Sequence, residues 1–169
     1  IKRTNIAERI YRVTGEGIYD ESVKAGLPVP IKHPISNGKV MGQDSYVEVL
    51  YKGKIYWFFG DTGQEAYFLG NYGASGATSA LPERGGLDPN IGVDLTYFTD
   101  SSGFSRPMFK TGLPGAVWIS WAVNLKDEKG NEHLYAHYAR VKGLGSVYEM
   151  GMAKFNDSTN TFERLLPND

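Results

Sequence analysis

Asp44 and Asp61 stand at the two ends of a stretch that folds back on itself, Gly42-Gln43-Asp44 to Gly60-Asp61-Thr62. Two apolar runs lie between them, Ser45 to Tyr51 and Ile55 to Phe59, joined by Lys52-Gly53-Lys54 as a tight turn. Antiparallel pairing about Gly53 brings both carboxylates to the edge opposite the turn, about one strand spacing apart. Paired carboxylates are the minimum equipment for cleaving a glycosidic bond: one protonates the leaving group while the other activates water or attacks. Both residues also have plainer uses. Asp44 can cap its strand by accepting from nearby amides, and Asp61 can form the turn in Gly60-Asp61-Thr62-Gly63.

Further residues fit a substrate-binding role. Arg106, in a loop between Ser105 and Pro107, is suited to anchor a hydroxyl or carboxylate, or to make a surface ion pair. Trp118 and Trp121 can stack on sugar rings or pack between sheets. His137 and Asp94 complete the set. Glu48 sits mid-strand among apolar residues, so it faces water or pairs with a cation. Trp57 reads as core, and Glu65 and Asp88 as loop residues. His133 and His137, four apart on a strand, lie too far from each other for an easy metal pair. Neither a metal nor a cofactor is expected.

Composition narrows the classes. The 169 residues suffice for one sizeable core and not for two ordinary domains. Net charge is -1, which argues against a nucleic-acid partner. No apolar run approaches the roughly 20 residues of a membrane helix. With no cysteine, disulfide and thiolate-metal frameworks are excluded. Aromatic residues make up 13%, with 21 Gly and 8 Pro, which is the composition of a β-rich chain that turns often.

The elements that must position the acids follow from the pattern. Residues 1–40 read as an N-terminal connector. Within them Ile6 to Val13 suits a short helix or a strand, and Pro28, Pro30 and Pro34 keep the chain extended. Residues 41–62 form the first hairpin, 63–90 a long Gly-rich loop, and 91–169 three more hairpins. The second pairs Val93 to Phe98 with Pro107 to Phe109, the third Ala116 to Val123 with Glu132 to Ala139, and the fourth Val147 to Phe155 with Thr161 to Leu165. Consecutive hairpins without intervening helices indicate an antiparallel all-β fold. Ile55 to Phe59 and Val117 to Val123 are bulky on both faces, so both sheets should be covered on both sides, as propeller-like blades are.

The run Asp44 to Thr62, with its opening Asp and returning aromatic strand Ile55-Tyr56-Trp57-Phe58-Phe59-Gly60-Asp61, resembles the first blade of five-bladed propeller glycoside hydrolases and of their uncharacterised bacterial relatives. Glu132 to Tyr138 followed by Tyr148 to Asp157 is similar to the second blade. The resemblance covers residues 40 to 165 and implies a carbohydrate-active protein, a glycoside hydrolase with Asp44 as general base; the alternative is a non-catalytic sugar-binding or structural propeller module. It implies a carbohydrate partner and a periplasmic or extracellular location. Five blades of about 40 to 50 residues exceed this length. The chain is therefore expected to be part of a longer protein or to self-associate, with the family's general acid, a Glu of a later blade, supplied from elsewhere.

Overall fold

The computed structural model describes residues 11–64, 67–71, 73–109, 111–142 and 145–166. Strand accounts for 47% and helix for 6%, and every ladder between named strands is antiparallel, so the expected all-β class holds. Most of Ile6 to Val13 lies outside the described residues, as does Glu65.

Among the described residues three sheets make up the fold. The first hairpin is β2 (Tyr46–Tyr51) and β3 (Lys54–Phe59), extended by β6 (Ser75–Ala80) and β7 (Thr96–Tyr97) into the order β2-β3-β6-β7. The second four-stranded sheet is β8 (Ala116–Lys126), β9 (Glu132–Lys142), β10 (Ser146–Asn156) and β11 (Thr161–Arg164), in sequence order. A small third sheet, β1-β4-β5, is formed by Val40–Gln43, Thr62–Gln64 and Tyr67–Asn71. A short helix, α1 (Asp20–Lys24), precedes them. No barrel or ring of sheets closes among the described residues.

Local chemistry explains the hairpins that the pattern predicts. Lys52 and Gly53 take φ of 46° and 75°, the left-handed pair that a two-residue type I′ turn requires, so Lys54 belongs to the returning strand. In the turn between β8 and β9, Asp127 accepts from the amides of Lys129 and Asn131 at 2.9 and 2.8 Å. Between β10 and β11, Asn156 accepts from the Ser158 amide at 2.9 Å.

The Gly-rich stretch is not the structureless loop expected of 63–90. It supplies β4, β5 and β6, and β6 is a central strand. Its small residues are the reason: Ser75, Gly76, Ala77, Thr78 and Ser79 are all buried, with layers packed on both sides. A Cβ at Gly76 would press into the Met108 side chain. The second hairpin is also altered: β7 pairs with β6, and Pro107 bridges to Ser75.

The main core lies between the two four-stranded sheets, where Tyr51 and Phe58 meet Leu134, Ala136, Tyr138, Phe155 and Phe162. On the other face of β3, Phe59 and Trp57 pack with Ala77, Leu95 and Val13. Cover on both faces therefore holds for β3 and β6, while the outer face of β2 leaves Tyr46 63% and Leu50 52% exposed. It does not hold for β8-β11 among the described residues, where Trp121 is 44% and Met150 64% exposed.

Candidate functional site: an acid pair at the open end of the first hairpin

The β2–β3 ladder runs from Tyr51–Lys54 at the turn to Tyr46–Phe59 at the open end, and the two aspartates follow directly. The Asp44 amide donates to the Asp61 carbonyl at 3.2 Å, and the Gly60 amide donates to the Asp44 carbonyl at 3.1 Å. Asp44 Oδ1 accepts from the Asp61 amide at 3.2 Å and from Ser45 Oγ at 3.3 Å. Gly60 is needed here, because a Cβ would overlap Asp44 Oδ1 and Ser45 Oγ.

The two acids differ in environment. Asp44 is exposed, whereas Asp61 is half-buried and accepts from the indole Nε1–H of Trp118 at 3.1 Å. Burial holds the Asp61 carboxyl above the usual aspartate range, and the nearby charge of Asp44 pushes the same way; the Trp118 hydrogen bond opposes them in part. A partly buried carboxyl with raised proton affinity beside an exposed carboxylate is the division that acid and base roles require.

Behind the pair lies a buried polar network that sequence reasoning missed. Gln43 Nε2 donates to Ser75 Oγ at 2.7 Å and to Thr62 Oγ1 at 3.1 Å, and the Tyr97 hydroxyl donates to Gln43 Oε1 at 2.8 Å. Thr62 and Ser75 are fully buried and 2.8 Å apart through their hydroxyls. The network ties β1, β4, β6 and β7 together directly beside Asp44 and Asp61. Burial pushes the Tyr97 phenol far up, so it stays a neutral donor. The only sequence signal was Gln43 and Thr62 each flanking an acid.

Trp121 and His137 continue the site along β8 and β9. A bulge after Ile119 puts Trp118 and Trp121 on one face, opposite Ala139 and His137 in register. The Trp121 and His137 rings lie 5.9 Å apart and 13° from parallel, and Trp121 presents its exposed side to solvent. His137 Nδ1 is buried without a hydrogen-bond partner.

Two of the substrate-binding candidates are elsewhere. Arg106 is turned inward: its Nη2 donates to the carbonyls of Thr159 and Asn160 at 3.1 and 3.0 Å, and its guanidinium sits 5.8 Å over the Phe98 ring. It clamps the β10–β11 turn. Asp94 accepts from the Lys32 amide at 3.1 Å and lines a cavity of about 780 Å³ that does not include the acid pair. Glu48 is exposed opposite Trp57, and Asp88 holds the Asn90 amide at 2.8 Å in a turn. Among the described residues no three His, Cys, Asp or Glu side chains are grouped to hold a metal ion, and no helix is long and apolar enough to cross a membrane.

No protein-family model matches the chain, and no curated protein matches it. The acid pair and its surroundings therefore carry the functional argument.

Proposed function

We propose that this chain belongs to a propeller-type carbohydrate-active protein that hydrolyses glycosidic bonds with the Asp44–Asp61 pair. The observation that carries the proposal is the contrast within the pair, an exposed Asp44 beside a half-buried Asp61 whose proton affinity is raised. Asp61 gives its proton to the glycosidic oxygen as the bond to the sugar breaks. Asp44 takes a proton from the attacking water, or attacks the anomeric carbon itself. The parallel Trp121 and His137 rings, on the face of β8–β9 that holds Trp118, supply a surface for a sugar ring.

Sheet topology supports the blade reading. Both four-stranded sheets list their strands in sequence order, and their first strands, β2 and β8, lie beside each other without a ladder between them. Asn124 of β8 donates to the Leu50 carbonyl of β2 at 3.0 Å, while Trp118 reaches Asp61 at the other end, so the two strands run in the same direction. Innermost strands of adjacent blades have this relation.

The test is a glycan-hydrolysis screen with the full-length protein, followed by Asp44→Asn. The variant keeps shape and hydrogen bonding but loses the charge, so turnover falls at least about a hundredfold while binding persists. Undiminished turnover removes Asp44 from the mechanism. A second reading, a sugar-binding module, is favoured by one observation: Asp44 Oδ1 already accepts the Asp61 amide, which is a structural use for that carboxylate. Saturable glycan binding without turnover by the wild type selects it.

A further inference from the structure

We propose that the cavity on the outer face of the β2-β3-β6-β7 sheet is a second carbohydrate site, separate from the acid pair and sized for one or two pyranose rings lying against Trp57. It rests on the carbohydrate reading above for its ligand class. At about 780 Å³ the cavity falls within the roughly 300–1,000 Å³ of small-molecule sites. Its origin is in the sequence. This part of the sheet face is roofed by chain segments around Pro30, Gly85-Gly86 and Gly92, whose small or cyclic residues cannot fill the space above Ile55 and Trp57. The result is an apolar wall interrupted by polar groups.

Those groups suit a sugar. The Trp57 indole is held in one orientation by its Nε1–H, which donates to Ser79 Oγ at 2.9 Å, so its ring is a preset wall for the C–H face of a pyranose. Ser79, 6% exposed and in register with Ile55, brings its hydroxyl to the same lining. Asp94 adds a carboxylate whose side chain is only 20% exposed. Lys32 Nζ stands 3.5 Å from it on a side chain 78% exposed, a weak pair that a sugar diol can replace. An aromatic wall, a buried hydroxyl and a carboxylate able to accept from two adjacent ring hydroxyls together make a recognition set for carbohydrate.

The chain has three tryptophans, so three indole N–H resonances report on the two sites independently. Trp57 lines this cavity, while Trp118 and Trp121 belong to the acid-pair face. Glucose, xylose, cellobiose and xylobiose are titrated into ¹⁵N-labelled protein, with the indole signals assigned from Trp118→Phe and Trp121→Phe. The expected result is a saturable shift of the Trp57 indole with at least one sugar, whatever the Trp118 and Trp121 signals do. Asp94→Asn weakens that binding about tenfold by removing a charge-assisted hydrogen bond. Ile55→Phe, at a half-buried lining position on the Trp57 face of β3, reduces it by narrowing the cavity and guards against an Asp94 variant that fails to fold. A Trp57 signal that stays fixed with all four sugars overturns the proposal, as does a shift left unchanged by both variants. Shifts of Trp118 or Trp121 alone support the acid-pair reading and sink this one.

Discussion

At Asp61, burial and the charge of Asp44 act together against ionisation, and only the Trp118 hydrogen bond favours it. The folded carboxyl thus binds its proton more tightly than the unfolded chain does. The sign follows from linkage: the native state holds more protons in the window just above the ordinary aspartate range, so this residue lowers stability as pH rises through that window. Its unfavourable contribution is fully present above the folded value and absent below the unfolded one. Asp61→Asn keeps an acceptor for the indole and removes the ionisation. Chemical denaturation as a function of pH is expected to show wild type gaining stability relative to Asp61→Asn on acidification through that window, with the variant at least as stable at neutral pH. A flat difference would show that Asp61 is not held in this way. Glu149 acts in the opposite sense: the Tyr138 hydroxyl at 2.6 Å holds it below the usual range, helped by Arg140 and Arg164, so its stabilisation is lost as pH falls through that lowered value. Comparing wild type with Asp61→Asn cancels this background.

The first hairpin is the element that sets the acid pair, and at its open end the tight position is Gly60. The strand must pass so close to Asp44 that only a hydrogen fits on the Gly60 Cα. Gly60→Ala is expected to cost about 1–3 kcal/mol, the usual range for overpacking. Part of the strain moves the Asp44 carboxylate off the Asp61 amide. If the pair is catalytic, the same variant loses turnover out of proportion to binding, and kinetics beside urea denaturation separates the two effects. An alanine here that leaves stability and rate untouched would mean that the hairpin end is pliable. The β10–β11 turn shows the contrasting case, where Arg106 holds two turn carbonyls by long-range bonds and serves the element, not a substrate.

For the whole molecule, stability rests on the aromatic layer between the two four-stranded sheets. Phe58 is 2% exposed and meets the Phe162 ring edge-on at 5.0 Å and the Phe155 ring at 6.4 Å. Phe58→Ala is expected to cost about 3–5 kcal/mol, read as a lowered urea midpoint. The second face of β8–β11 presents the contrary situation. Beyond the Trp121–His137 pair, Leu125 and Met150 are 52% and 64% exposed on one face of that sheet, apolar surface of the kind that drives association. Sedimentation equilibrium of this chain is expected to show species heavier than the monomer at high concentration. Met150→Lys should shift the distribution toward monomer, and a wild type that stays monomeric throughout would count against an interface on this face.

Three hairpins were legible from sequence because the information that makes a hairpin is local. Runs of aromatic and β-branched residues set the strands, and Lys52-Gly53, Asp127 to Asn131 and Asn156 to Asn160 set the turns within a few residues of what they join. The adjacency of Asp44 and Asp61 came with the first of them, since a ladder fixes what lies at its open end. Residues 62 to 80 were misread for the opposite reason. Their small residues lack a strand signature, and β4 and β6 are strands because of the neighbours they pair with and the layers that bury them. The Trp118 hydrogen bond to Asp61 spans 57 positions and the Arg106 bonds to the β10–β11 turn span 53 and 54. No periodicity encodes such contacts. Tertiary packing alone decided them, because it sets which strand ends meet, which faces stay open and how far each carboxylate is withdrawn from water.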